Sequence, residues 1–180
     1  MLVAWVLGLW GCGYMPRAQH LEGPNEPSRL SRPPAARAQA PSLFAQPWRW
    51  SDEQGALVRF EQWRGAPIIV TMVFTSCTST CPLTLDRLRH ITETFEREGR
   101  AATFVLVTLD PSNDTPDQLR RFKISRQLPA RWHLLRGDDA QTRQLADILQ
   151  IHVLDDVHVF HDARIVVFDR DGKLSGQLGV

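Results

Sequence analysis

The sequence predicts an α/β fold built on a central mixed sheet, with a β-hairpin at each end of the domain. Three observations carry this: two near-continuous β-branched runs, amphipathic segments alternating with them, and a closing pair of short strands joined by Asp171-Gly172. Strands buried on both faces read as unbroken apolar runs because helices cover them, whereas antiparallel edge strands are shorter and linked by turns.

The elements follow in order. Trp48 to Ser51 and Ala56 to Phe60 flank the turn-prone Asp52-Glu53-Gln54-Gly55 and read as an N-terminal β-hairpin extension. Ala66 to Phe74 (APIIVTMVF) reads as a buried central strand. Leu83 to Glu98 places Leu85, Leu88, Ile91, Thr92 and Phe95 at three- and four-residue steps, the period of an amphipathic helix, and Gly99 stops it. Thr103 to Leu109 (TFVLVTL) is a second buried strand, and Thr115 to Gln127 a second helix whose Thr115-Pro116-Asp117 supplies the cap and first turn. Arg131 to Leu135 reads as a short strand, Asp138 to Leu149 as a third helix, and Arg164 to Asp169 with Lys173 to Gln177 as a C-terminal β-hairpin. A thioredoxin-like fold fits that order.

A chain of 180 residues holds one domain of ordinary size plus a tail. Its 21 basic and 20 acidic residues leave a net charge of +1, so nothing in the balance calls for nucleic acid. Leu2 to Trp10 is an apolar run far shorter than the roughly 20 residues needed to span a bilayer, but it has the length of a signal-peptide core. It runs into Leu9-Trp10-Gly11-Cys12, which resembles a bacterial lipoprotein cleavage box, with Cys12 as the lipidated residue. No Lys or Arg precedes the run, and Trp10 is bulky for such a box; an ordinary cleaved signal or a short uncleaved anchor is the alternative. Every version leads to export. Residues 15–47 then hold seven of the twelve prolines and no apolar periodicity. The expected organisation is an anchor over 1–14, a linker over 15–47 and a domain over 48–180. A proline-rich linker extends about 3.1 Å per residue, which gives a reach of roughly 100 Å toward a membrane-embedded partner.

Both remaining cysteines fall in Thr75-Ser76-Cys77-Thr78-Ser79-Thr80-Cys81-Pro82, between a buried strand and an amphipathic helix. Sites of open α/β sheets lie at such carboxyl ends of strands. Pro82 suits the first helical position, which puts Cys81 near a helix amino terminus, where the macrodipole favours a thiolate. The four-residue spacing brings the two sulfurs to one face, at a separation fit for a disulfide or for one soft metal such as Cu(I) or zinc. A plain stabilising disulfide is the bland alternative, although so small a loop constrains the unfolded chain little. Two sulfurs rarely complete a metal site. Among the six histidines, His20 lies in the linker, and His90 sits roughly 13 Å along the helix axis from Cys81. His158 and His161 flank the approach to the last hairpin, and the residues alone leave the choice between them open.

The segments TSCTSTCPLTLDRLRHI, TLDPSNDTPDQLRRF, WHLLRG and HDARIVVFDRDGKL resemble, in order and spacing, the SCO/SenC family of copper-handling proteins, over about residues 48–178. In that family a strand leads to Cys, three residues, Cys-Pro and a helix. A strand ending in Asp-Pro and then Asp-Thr-Pro follow, and a His stands eight residues before an Asp-Pro-Asp-Gly turn. Here Asp110-Pro111, Asp114-Thr115-Pro116 and Asp169-Arg170-Asp171-Gly172 fill those places, and the His is His161. The resemblance implies Cys77, Cys81 and His161 as ligands of one copper ion, Cu(I) or Cu(II), with Cys77 and Cys81 also a redox-active pair. It also implies a role, on the periplasmic side of the bacterial inner membrane, in maturing the binuclear copper site of cytochrome c oxidase, with the copper-site subunit or another exported copper protein as partner.

The sequence departs from the family where Thr78, Ser79 and Thr80 replace its usual Pro-Asp between the cysteines, where Phe160 replaces an acidic residue, and where Asp162 follows the His. The family also continues with a helix where this sequence reaches Val180, so a sheet face is expected to need another segment, a partner or further chain to cover it. Two rival functions use the same domain: a metal-independent thiol-disulfide oxidoreductase acting on a copper protein's cysteines, and an assembly factor that holds no metal. A thioredoxin-like peroxidase is the weaker third, since it has no need of His161.

Overall fold

The computed structural model describes residues 42–77, 80–152 and 164–179. Seven strands form one sheet: β1 (Trp50–Asp52), β2 (Leu57–Val58), β3 (Ile68–Val73), β4 (Thr103–Thr108), β5 (Trp132–Arg136), β6 (Arg164–Phe168) and β7 (Leu174–Gly179). Their order is β2-β1-β5-β4-β3-β6-β7. The three central strands β5, β4 and β3 are parallel, and the hairpins β1/β2 and β6/β7 add antiparallel edges on either side. This is the mixed sheet with a hairpin at each end that the sequence predicts.

The helices α1 (Thr80–Arg97), α2 (Pro116–Ser125) and α3 (Asp139–Leu149) supply the crossovers. Helix α2 begins as expected, with the Thr115 side chain accepting a hydrogen bond from the Gln118 N–H and Pro116 in the first turn. Asp138 does the same for α3 through the Gln141 N–H. Helix α1 starts three residues earlier than its apolar period indicates, so Pro82 is its third residue and Cys81 its second.

Every residue of β3 is buried, and alternation sends its side chains to two cores. Ile69 and Val73 join Phe104, Leu106, Trp132 and Leu134 beneath α1 and α2, which contribute Leu85, Leu88, Leu119 and Phe122. Ile68, Val70 and Met72 face the other way, with Val105, Val107 and Phe168, under Leu145, Ala146 and Leu149 of α3. That second face is also sheltered by Trp48, Trp50 and Phe60 and by a strap at the start of the described chain, with Leu43 and Phe44 buried. On the first face, Val167 and Leu178 of the closing hairpin are half-buried at the rim of the core.

The strap lies ahead of the expected boundary at residue 48, and it packs against the domain. Leu43–Ala45 form a 3₁₀ turn, the Leu43 N–H donates to the Gly172 carbonyl at 2.8 Å, and the Ser42 hydroxyl donates to the Asp171 carbonyl at 2.5 Å. Gly172 has a φ of +74°, and a Cβ there would lie 2.7 Å from Phe44 Cδ2. The Asp171-Gly172 turn thus needs glycine both for its backbone conformation and for the ring against it.

An ion pair between buried Glu53 and half-buried Lys123 ties the N-terminal hairpin to the sheet. Glu53, in the β1–β2 turn, accepts from Lys123 Nζ on α2 and, at 3.0 Å, from the Leu134 N–H of β5. Lys123 Nζ also donates to the carbonyls of Ala130 at 3.0 Å and Trp132 at 2.5 Å. Burial alone would raise the Glu53 carboxyl. The hydrogen bonds from Lys123 and the Leu134 backbone outweigh it, and the carboxyl is held below the usual glutamate range.

Candidate metal centre

The site begins where β3 ends. After Val73 the buried Phe74 leads into the Thr75-Ser76 turn, and the Cys77 N–H donates back to the Phe74 carbonyl at 3.1 Å. Four residues on, the Cys81 N–H donates to Cys77 Sγ at 3.3 Å, within range for a sulfur acceptor. The pair therefore stands together at the carboxyl end of the central strand and the head of α1, as the spacing requires. Both residues are thiols, only 2% and 5% exposed, and they line the α1/α2 core beside Val73, Phe74 and Leu85.

Burial overturns one expectation. The helix amino terminus was expected to favour a Cys81 thiolate, yet the thiol is pushed up to about 12. Removal from water is the main cause, and hydrogen bonding and proximity to Cys77 add to it. A hydrogen bond with the Phe74 backbone and the Arg126 guanidinium pull weakly the other way. The dipole at the start of α1 favours the thiolate only modestly, and removal of the sulfur from water outweighs it. At neutral pH Cys81 is a protonated, sheltered thiol, so a ligand that needs its thiolate must displace the proton.

A buried carboxylate beneath the cysteine turn is a feature that sequence reasoning used only as a motif marker. Asp114 is 2% exposed, and it accepts from the Thr75 N–H at 3.0 Å and from the hydroxyls of Thr75 and Thr108, each at 2.5 Å. The signal lay in polar residues just past the two central strands, Thr75 after β3 and Thr108 and Asp114 at and after the end of β4, where buried polar groups need mutual hydrogen bonds.

The histidines divide. His90 is exposed on α1, with Nδ1 3.6 Å from a Glu93 carboxylate oxygen. His133 lies on the opposite face of the sheet with its ring 4.9 Å from that of Trp63, and burial holds it below the usual imidazole range. His152 is exposed beyond α3. His158 and His161, like Cys12 and His20, lie outside the described residues. Among the described residues no three His, Cys, Asp or Glu side chains gather into a group fit for a metal ion. The chain does return to the cysteine end: β6 runs antiparallel to β3, with Val70 opposite Val166, and the Thr71 hydroxyl donates to the Arg164 carbonyl at 2.7 Å. Strand β6 therefore begins, at Arg164, near the carboxyl end of β3.

A mixed sheet carrying two thiols at the carboxyl end of its central strand, where the first crossover helix begins, defines a thioredoxin-like dithiol protein. The SCO1/SenC family matches residues 36–179, and the chain belongs to that family. The SCO2-like protein of Rickettsia prowazekii (strain Madrid E) is 25% identical over 105 residues, 58% of this chain and 50% of the relative. The chain spans about half the length of such curated relatives. Among solved structures, Bradyrhizobium japonicum ScoI with copper bound superposes with a TM-score of 0.61 at 21% identity, covering 74% of this chain and 87% of that one. BsSco, described as having a disulfide switch and as a member of the Sco family of cytochrome c oxidase assembly proteins, gives a TM-score of 0.66 at 21% identity over 77% and 84%.

Proposed function

We propose that this protein takes up one copper ion as cargo, holds it between Cys77, Cys81 and His161, and passes it to an exported copper protein, the copper-site subunit of cytochrome c oxidase being the foremost recipient. The observation that carries this reading is the pair of sheltered cysteines gathered at the carboxyl end of β3, where the Cys81 N–H donates to Cys77 Sγ. Soft thiolates select Cu(I) over the hard cations, and their burial keeps competing water and oxidants away. In the sequence His161 stands three residues before Arg164, where β6 begins beside the end of β3. The copper-bound state of Bradyrhizobium japonicum ScoI, on a related fold, is consistent with the same cargo.

Each residue then has a task. Cys77 and Cys81 lose their protons as the metal binds and give it two sulfur ligands; the imidazole of His161 supplies a third donor that can dissociate first on transfer. Exchange with a recipient's own cysteines moves the ion without releasing it to water. The amino-terminal segment exports and tethers the domain, through Cys12 or an uncleaved anchor, and residues 15–41 let it reach its partner. No helix among the described residues is long and apolar enough to cross a membrane.

The test is an anaerobic titration of the reduced chain with Cu(I) against a competing chelator. One ion per chain, with weaker binding in His161→Ala, is the expected result; identical affinity in that variant removes His161 from the site. A second reading, reduction of a partner's disulfide, is favoured by the same close sulfurs. There, one thiolate attacks the partner's disulfide and the second resolves the mixed disulfide, so Cys77 and Cys81 become oxidised while the partner gains two electrons and two protons. Activity of metal-stripped protein on a partner disulfide separates the two.

A further inference from the structure

Asp114 takes no part in the ligand set, yet its geometry connects it to one ligand. Its Oδ2 accepts from the Thr75 N–H and the Thr108 hydroxyl, and its Oδ1 accepts from the Thr75 hydroxyl. A carboxylate so deeply buried is costly unless its oxygens are satisfied, and here three donors from two elements converge on it. The loop after β4 is folded to deliver it: the Asp114 N–H donates to the Asp110 carbonyl at 2.9 Å, and the Asp110 N–H donates to the Thr108 hydroxyl at 3.0 Å. On the other side of the contact, Thr75 lies two residues ahead of Cys77. The Cys77 N–H is anchored to Phe74, and its sulfur receives the Cys81 N–H. The path from Asp114 to the sulfurs is therefore short: hydrogen bonds to Thr75, then two residues of chain to Cys77.

We propose that Asp114 is a positioning residue for the dithiol: by gripping both the N–H and the hydroxyl of Thr75, it fixes the turn that carries Cys77 and so sets the placement of its sulfur against Cys81. A carboxyl side chain suits this task because it offers two acceptor oxygens, and all three partners donate to them. This inference rests on the reading of Cys77 and Cys81 as the working site, and it adds a support that the ligand set alone lacks.

The experiment compares Asp114→Ala, Asp114→Asn and Thr75→Val with Glu53→Gln, which weakens the fold from a different turn. Two quantities are read on the reduced full chain, the rate of cysteine alkylation by iodoacetamide and the Cu(I) affinity. Asp114→Ala is expected to speed alkylation and to weaken copper binding roughly 10–100-fold, the usual effect of removing a partner that orients a ligand. Asp114→Asn, which keeps one acceptor oxygen and the same shape, is expected to restore most of both. Glu53→Gln is expected to lower the melting temperature while leaving alkylation and affinity at the wild-type values. If Asp114→Ala melts earlier but alkylates at the wild-type rate, or if Glu53→Gln reproduces its effects, Asp114 is a structural residue only and the proposal falls. Should Asp114→Ala fail to fold, Thr75→Val, which removes a single hydroxyl, must shift the same readouts in the same direction, and wild-type values there overturn the idea. Were the wild-type chain to take no copper, the proposed function would fail while the alkylation rates still decided the role of Asp114.

Discussion

Replacing Phe44 with Ala tests whether the strap at residues 42–47 is part of the domain. The ring is only 4% exposed, rests against Gly172, and has the Arg64 guanidinium 4.9 Å from its centroid. Returning its apolar surface to water forfeits about 1.5–3 kcal/mol. The void left between the strap and the Asp171-Gly172 turn brings the expected loss to about 3–5 kcal/mol. For a domain of this size that corresponds to a melting temperature lower by about 10–15 °C, followed by near-ultraviolet circular dichroism. Because Phe44 belongs to the core on the α3 side and the cysteines to the core on the α1 side, copper affinity measured well below the melt should not change. A loss of only about 2 °C, the size of an ordinary surface substitution, would refute the argument and return the strap to the linker.

Other predictions follow from the same packing. Glu53→Gln leaves the half-buried Lys123 ammonium without its counter-charge and should cost about 1.5–3 kcal/mol in denaturant unfolding. Since the Glu53 carboxyl is held below its ordinary range in the folded state, its contribution is fully present above that range. It is lost as pH falls through the lowered value, so wild-type stability should decline in acid more steeply than that of Glu53→Gln. Gly137→Ala would put a Cβ 2.5 Å from Cζ3 of the fully buried Trp50, and an overpacking cost of about 1–3 kcal/mol should lower the denaturation midpoint; an unchanged midpoint would mean that the Trp50 ring has room to move. Copper loading of the reduced chain near pH 7 should release protons to a weakly buffered indicator, because Cys81 enters as a thiol; loading without release would contradict the sheltered state of that sulfur.

What the sequence revealed depended on how far its signals reach along the chain. Strands β3 and β4 were legible because β-branched runs flanked by helical periods have one sensible placement, and α2 because Thr115 and Pro116 are local start signals. The closing hairpin announced itself through Asp171-Gly172. The strap did not: Leu43 and Phe44 sit alone among prolines and polar residues, and what buries them lies about 129 positions away at the Asp171-Gly172 turn. At the site, the gathering of Cys77 and Cys81 was a short-range consequence of their spacing. The raised Cys81 thiol and the grip of Asp114 on Thr75, 39 positions apart, both arise from contacts between elements that no local pattern encodes. The 3₁₀ turn Phe60–Trp63 was likewise unpredicted, because edge-to-face packing of Phe60 on Trp50 and of Trp63 on Phe60, rather than a repeating period, fixes its aromatic residues.

The central claim is that two sulfurs and one imidazole of this chain share a copper ion. X-ray absorption at the copper edge, on the full chain loaded anaerobically with one equivalent of Cu(I), addresses it most directly. The account predicts a first shell of two sulfurs and one nitrogen that loses its sulfur scattering in Cys77→Ser/Cys81→Ser and its nitrogen in His161→Ala. A shell of nitrogen and oxygen only, or a spectrum indifferent to the two cysteines, would contradict it.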